Sequence, residues 1–249
     1  MTGHLASHRL ASLLDDLFKR RAEAGGAVSV SPPLLLDPPF LEALGHPDEA
    51  PHPPVAVPGT SSVLPSATCY RLFQALAGGA TPDPPTFTLS GPCFRVEESQ
   101  DATRRLAFTM RETVFFGPEA TTDEFRTSLM KADRELTSGL GLEVEIRQAT
   151  DPFFLSSGGR GRRILQKLLQ LKYEMVVEVT GRTVAVASFN LHRQHFSARL
   201  DIGSDENRPS SGCVAYGIER WAVALTERWG EDLSRWPRDV RTILGEATR

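Results

Sequence analysis

Hydrophobic and polar positions alternate most regularly between Phe94 and Gly117, which read FRVEESQDATRRLAFTMRETVFFG. Two alternating segments flank a polar loop at Glu98–Arg105, a pattern typical of an antiparallel hairpin. Because side chains on a strand alternate sides, Arg95 and Glu97 share one face of the first segment. One face of the second segment carries Phe108, Met110 and Glu112. An apolar interior would not tolerate these charges unpaired, so we expect this face to be solvated or to hold a ligand.

The same periodicity predicts helices and further strands along the chain. Leucines at helical spacing make Leu5–Ala24 an amphipathic helix that ends at Gly25-Gly26. Thr122–Leu140 is a second predicted helix, with Thr121 or Thr122 as its N-cap. Other predicted elements are strands at Leu142–Arg147, Tyr173–Val179 and Thr183–Asn190, and a helix at Gly217–Arg228.

The length of the chain suits one large domain or two small ones. Of the 249 residues, 40% are hydrophobic, enough for a core, and 24% are charged. We expect a single domain over residues 1–249, with an N-terminal helix within 1–27 and a helical tail at 226–249 that packs at the rim. The net charge of -3 argues against a nucleic-acid-binding protein. No apolar run is long enough to span a membrane and the N-terminus does not resemble a secretory signal, so a cytoplasmic location is expected.

The chain has three cysteines, Cys69, Cys93 and Cys213. Their odd number and wide spacing argue against a disulfide framework. Their simplest interpretation is three small buried side chains. They lack the paired CxxC spacing of a zinc finger, so spacing alone reveals no metal site.

Three strings in this chain resemble motifs of one protein family. The FRxE…FTMRE hairpin is similar to motif 2 of the class II aminoacyl-tRNA synthetases, and Ser211–Leu225 (SGCVAYGIERWAVAL) to their motif 3. Thr183–Phe196 (TVAVASFNLHRQHF) is similar to the strand that lies under ATP. The chain most resembles the free-standing amino acid:[carrier protein] ligases, relatives of the zinc-containing seryl-tRNA synthetases of methanogens. The resemblance implies an α+β fold, with a mostly antiparallel sheet flanked by helices, and a homodimer built through Val28–Leu44.

The resemblance also implies an ATP site. Arg95 corresponds to the motif 2 arginine that grips the α-phosphate and the carboxylate, and Arg220 to the motif 3 arginine at the pyrophosphate end. Arginine suits both roles because its planar fork binds oxyanions bidentately. Glu97 would accept a hydrogen bond from the adenine amine, and Phe108 would stack on the ring. The other expected ATP contacts are Arg104, Arg105, Val184, Ala185, Val186 and Ala187.

Two metals follow from the same resemblance. Cys69, Glu112 and Cys213 fall at the family's zinc-ligand positions, and two thiolates with one carboxylate leave a fourth tetrahedral position open. In the family the substrate's α-amino group fills that position, so Glu112 and Asn190 are the expected amino-acid contacts. Cys93 is a rival ligand because it shares the Arg95 face, but the family match leaves it out. Magnesium would be held mainly by phosphates and water, since Val184 replaces the usual glutamate.

The function that the resemblance implies is ATP-dependent activation of a small amino acid, glycine or alanine. The amino acid would pass to the phosphopantetheine thiol of an acyl or peptidyl carrier protein, and the basic segment Arg160–Lys172 would dock that acidic partner. A tRNA partner is disfavoured by the negative net charge and by motifs that occupy the whole chain. Two alternatives stay open: a non-catalytic paralogue that binds amino acid or nucleotide, and a tRNA-charging enzyme. The presence of Arg95, Arg220 and all three proposed zinc ligands favours catalysis.

Overall fold

The computed structural model describes residues 2–44, 54–96, 99–149 and 170–246. The helices are α1 (Thr2–Ala24), α2 (Pro38–Leu44), α3 (Cys69–Leu76), α4 (Glu119–Gly139), α5 (His195–Arg199), α6 (Ile218–Trp229) and α7 (Arg238–Leu244), with a 3₁₀ turn at Leu233–Arg235. The strands are β1 (Val28–Ser29), β2 (Val55–Ala56), β3 (Val63–Leu64), β4 (Thr86–Phe94), β5 (Ala107–Gly117), β6 (Glu145–Gln148), β7 (Lys172–Val179), β8 (Arg182–Arg193) and β9 (Ser210–Gly217). None of the helices in these ranges is long and apolar enough to cross a membrane.

Seven of these strands form one sheet in the order β1-β4-β5-β9-β8-β7-β6. All neighbours are antiparallel except β1 and β4, which are parallel. The predicted hairpin corresponds to its β4–β5 pair, whose register runs from Thr86 opposite Phe115 to Phe94 opposite Ala107. Its first strand was misplaced, because β4 ends at Phe94 and Arg95 follows the strand. The predicted α+β fold, with a mostly antiparallel sheet flanked by helices, is therefore confirmed.

The main core lies on one face of the sheet, under α1, α4 and α6. The apolar stripe of α1 supplies Leu10, Leu14 and Phe18 to this core, and the Phe18 ring stacks on Tyr216 of β9 at 3.9 Å. The Tyr216 hydroxyl donates to Asp133 of α4 at 2.7 Å. These contacts fix β9 against two helices, so the sheet presents its opposite face for other uses.

That opposite face, which we call the working face, carries Glu112, Cys213 and Asn190. Directly paired residues of antiparallel strands point to the same side, and Asn190 is paired with Cys213. A second apolar cluster under α3 and α5 covers one end of the working face. In this cluster the Phe73 ring stacks on Phe196 at 3.7 Å. The rest of the working face is available for a site.

Several predicted boundaries were wrong. Helix α4 begins at Glu119 directly after Pro118, so Thr122 lies inside the helix, where its hydroxyl donates to the Glu119 carbonyl at 2.8 Å. The strand expected at Leu142–Arg147 is β6, which starts three residues later.

The C-terminal tail does not pack at the rim: Leu233, Trp236, Val240 and Leu244 are buried in the main core. Of the predicted basic docking segment, residues 160–169 lie outside the described ranges, and Lys172 begins a strand rather than ending a helix.

Candidate active site

Two cysteines and one glutamate meet on the working face. Cys69 is the first residue of α3, Glu112 lies on β5 and Cys213 lies on β9. Their ligand atoms lie within 4.8 Å of one another, and all three side chains are almost completely buried. Two sulfurs and one carboxylate oxygen at this separation match the donor types and the size of a zinc site with an open position. The predicted ligand set is thus brought together in space, and Glu112 is buried rather than solvated.

Hydrogen bonds hold the Glu112 carboxylate in place. Its Oε1 accepts the backbone amides of Thr68 at 2.7 Å and Cys69 at 3.2 Å. These amides belong to the start of α3, so the helix that supplies Cys69 also orients Glu112. Because the carboxylate is already held in one orientation, it loses little conformational freedom when it binds a cation, which favours binding.

Burial controls the protonation of this cluster. It raises the pKa of Cys213 and of Glu112, while a hydrogen bond with Cys213, followed by burial, raises the pKa of Cys69. A buried negative charge is costly without a partner, so burial shifts all three groups toward their neutral forms. A divalent cation would offset this cost and displace the protons.

Asn190 connects the cluster to the next strand. It is 1% exposed, and its Nδ2 donates to Cys213 Sγ at 3.4 Å and to Ser188 Oγ at 3.2 Å. Its Oδ1 has no hydrogen-bond partner among the residues that the structure describes. A buried acceptor of this kind is suited to a ligand donor. The predicted contact of Asn190 with the substrate stays a prediction.

Cys93, the rival ligand, is not among the residues whose ligand atoms lie within 4.8 Å of one another. Its Sγ is 3.1 Å from Thr68 Oγ1, and it packs with Met110 and Ala215 in a small apolar cluster. Burial raises the pKa of its thiol to about 12. Cys93 therefore has the properties of a small buried side chain.

An arginine-rich pocket opens on the same face, toward the loop of the β4–β5 hairpin. Its lining consists of Arg95, Ala102, Thr103, Arg104, Arg105, Phe108, Gly217, Glu219 and Arg220. The Arg95 guanidinium lies over the Phe108 ring at 5.1 Å, and its Nε donates to the Ser66 carbonyl at 2.9 Å. Four arginines and one aromatic ring line this concave surface, which suits a ligand that combines phosphates with a flat ring.

Arg220 joins this pocket to the strand predicted to lie under ATP. Its Nε donates to the Thr103 carbonyl at 2.8 Å, and its Nη1 donates to the Ala185 carbonyl at 2.9 Å. The side chains of Val184, Val186 and Ala187 are buried in the main core, so these residues can meet a ligand only through their backbone. Glu97 lies outside the described residues.

Sequence reasoning missed Glu219. Both of its carboxylate oxygens accept the backbone amide of Thr109, at 3.0 and 2.9 Å. The available signal was its position before Arg220, in the first turn of α6. Asp101 was also missed: its Oδ1 accepts the amides of Thr103 and Arg104 at 2.7 and 2.9 Å, which orders the hairpin loop.

Comparison with solved structures defines the fold. The chain superposes on a seryl-tRNA synthetase from M. kandleri, solved with A. aeolicus tRNASec, with a TM-score of 0.79 and 20% identity over 97% of this chain and 55% of that one. A Pyrococcus horikoshii seryl-tRNA synthetase complexed with ATP gives a TM-score of 0.73 at 16% identity, covering 96% of this chain and 56% of that one. The protein therefore has the fold of a class II aminoacyl-tRNA synthetase catalytic domain.

Sequence comparison narrows the resemblance. No protein-family profile matches the chain. It is 36% identical over 189 residues to amino acid–[acyl-carrier-protein] ligase 1 of Bradyrhizobium diazoefficiens, covering 74% of this chain and 57% of the relative, and ligase 2 of that organism is equally similar over 191 residues. The type-2 serine–tRNA ligase of Methanothermobacter thermautotrophicus is 28% identical over 188 residues, 70% of this chain and 36% of the relative. The predicted resemblance to the amino acid–[carrier protein] ligases is confirmed, and the chain spans a little over half the length of these ligases.

Proposed function

We propose that this protein activates a small amino acid with ATP and transfers it to the phosphopantetheine thiol of a carrier protein. The observation that carries the proposal is the alignment of two sites along one strand. Phe108 of the arginine-rich pocket and Glu112 of the Cys–Glu–Cys cluster lie four residues apart on the working face of β5, about 13 Å. An extended aminoacyl adenylate can span that distance.

Arg95 lies between these two sites. Besides its contact with Phe108, its Nη2 donates to Met110 Sδ at 3.7 Å, and Met110 is midway between Phe108 and Glu112. With adenine on Phe108, the α-phosphate would fall next to this guanidinium. Attack of the amino-acid carboxylate on that phosphorus gathers negative charge, which Arg95 would stabilise, while Arg220 would hold the departing pyrophosphate. Arg104 and Arg105 would contact the outer phosphates.

The proposed metals are zinc and magnesium. Zinc would be held by Cys69, Glu112 and Cys213, and when bound it would supply a Lewis-acidic position for the substrate's α-amine. Asn190 would orient the amino acid through its unpartnered oxygen. Among the described residues lining the pocket, Glu219 is the acidic one, and it is already bonded to Thr109. Magnesium would therefore be coordinated mainly by the phosphates and water.

The second half-reaction needs positioning more than acid–base help. A phosphopantetheine thiol has an ordinary pKa, and its thiolate is intrinsically nucleophilic toward an activated ester. Its sulfur forms the thioester bond while the bond to AMP breaks. The names of the ligases that the chain resembles support a carrier protein as the acceptor. Glycine or alanine as the substrate and a homodimer as the assembly are proposed from the motif resemblance.

The acceptor can be tested by direct competition. Purified protein, ATP and labelled glycine or alanine would be offered to phosphopantetheinylated acyl and peptidyl carrier proteins, and to total tRNA. We expect label on a carrier that bears the arm and none on the same carrier without it. Label on tRNA alone would establish the tRNA-charging alternative. Label on neither, despite bound ATP, would favour a non-catalytic binding protein.

A further inference from the structure

The working face continues beyond the site described above. One register row crosses five neighbouring strands, and it consists of Glu112, Ala215, Ser188, Glu174 and Arg147. Because paired residues point to the same side, all five side chains project from the working face. Ala215 stands between the proposed zinc ligand Glu112 and Ser188, and its single methyl group is the smallest side chain in the row.

A second row runs beside the first and ends in a lysine. It consists of Cys213, Asn190 and Lys172, so Lys172 lies two strand spacings, about 10 Å, from the proposed metal ligand. Lys172 Nζ forms an ion pair with Glu174 at 2.9 Å, and the two side chains are only 13% and 18% exposed. A mostly buried ion pair thus borders Asn190 and Ser188 on the side away from Glu112.

We propose that Ser188 and the Lys172–Glu174 pair form the far wall of the amino-acid pocket and exclude apolar substrate side chains. This inference rests on the proposed function, and it names the residues that choose the substrate. An amino acid held by its α-amine next to Cys213 would direct its side chain over Ala215 toward this wall. Glycine has no side chain and the methyl group of alanine is too short to reach the charged pair. A longer aliphatic side chain would remove the remaining water from the ion pair without offering it a polar contact, which is costly.

The test is a change in substrate selectivity. In the double variant Lys172→Met with Glu174→Leu, apolar groups of similar size replace the pair, and such replacements are generally tolerated. Amino-acid-dependent ATP–pyrophosphate exchange would be measured with glycine, alanine, 2-aminobutyrate and valine. We expect the ratio of kcat/KM for valine to that for glycine to rise about tenfold or more. Zinc content should not change, because no proposed ligand is touched.

The control is a double variant with the same substitutions elsewhere, Lys19→Met with Glu23→Leu. Those residues form an ion pair on α1, at 3.8 Å, and each is 42% exposed. Its selectivity should equal that of the unmodified protein. If the double variant fails to fold, Lys172→Met alone keeps Arg147 opposite Glu174 and should shift the ratio in the same direction.

The possible outcomes distinguish failure of this inference from failure of the proposed function on which it rests. Exchange in the unmodified protein, with a ratio that the wall variants leave within twofold, would overturn the inference alone. No amino-acid-dependent exchange in the zinc-loaded, unmodified protein would overturn the proposed function and the inference together.

Discussion

Glu219 grips the backbone amide of Thr109 with both carboxylate oxygens, at 3.0 and 2.9 Å. The contact ties the first turn of α6 to the strand residue that follows Phe108. Arg220 is the next residue on the same helix. One carboxylate therefore links Phe108 and Arg220, two residues of the pocket lining, through their immediate neighbours in the chain.

We expect Glu219→Ala to raise the KM for ATP roughly tenfold, because a hydrogen bond to a charged group is lost and α6 is no longer tied to β5 beside Phe108. Glu219→Gln keeps one acceptor oxygen and should fall in between. Glu227 provides a matched control on the same helix, since both of its oxygens accept the amide of Thr180, at 2.9 and 2.8 Å, away from the pocket. Equal effects of Glu219→Ala and Glu227→Ala on the KM for ATP would contradict this role.

Arg95→Ala should lower kcat/KM for ATP–pyrophosphate exchange by about 10²–10³-fold, since it removes a fixed cation from the proposed transition state. Arg95→Lys keeps the charge but not the planar fork, so we expect it to recover only part of the rate. Arg228→Ala is the control: Arg228 also lies over an aromatic ring, that of Trp229 at 4.7 Å, and also donates to a carbonyl, that of Gly141 at 3.0 Å. Comparable losses in the two alanine variants would point to stability instead of catalysis.

Cys213→Ser should reduce bound zinc from about one per chain to a small fraction, because a soft thiolate ligand is replaced by a hydroxyl. Cys93→Ser should leave the zinc content unchanged, since Cys93 lies outside the cluster formed by Cys69, Glu112 and Cys213. Elemental analysis of both variants, purified side by side, measures this directly. Loss of zinc in the Cys93 variant alone would assign the metal to a different ligand set.

Stability should depend on pH through His192. Burial, with a smaller contribution from nearby His195, lowers the pKa of His192 well below its usual range. Below the unfolded-state pKa of about 6.5, the unfolded chain therefore binds a proton that the folded protein does not, and stability falls as pH falls. We expect His192→Gln to flatten this dependence by up to about 1.4 kcal/mol per pH unit below pH 6.5. Denaturant unfolding at pH 7.0 and 5.5 measures both slopes, and identical slopes would refute the assignment.

Local patterns predicted much of the fold. The alternation in residues 94–117 predicted β5 and an antiparallel partner for it, although β4 ends at Phe94, where the predicted first strand begins. The leucine spacing of α1 predicted its buried stripe. The local patterns failed where tertiary contacts determine where an element begins or whether it is buried. Helix α4 begins directly after Pro118, ahead of the threonines expected to cap it. Trp236 and Leu244 of the tail are buried in the main core, which their local sequence does not indicate.

The candidate site shows the same limit. Cys69, Glu112 and Cys213 are far apart in sequence, and only the resemblance to a known family singled them out before the sheet brought them together. No sequence motif or family resemblance singled out Glu219 or Ser188. Their positions follow from strand register and from the docking of α6, which no local pattern contains.

The most direct measurement is ATP–pyrophosphate exchange with each of the twenty amino acids, with zinc quantified in the same sample. We predict exchange with one small amino acid, glycine or alanine, and about one zinc per chain. That result would support both the adenylating site and the metal beside it. A folded, zinc-loaded protein that gives no exchange with any amino acid would contradict the central claim and favour a binding role.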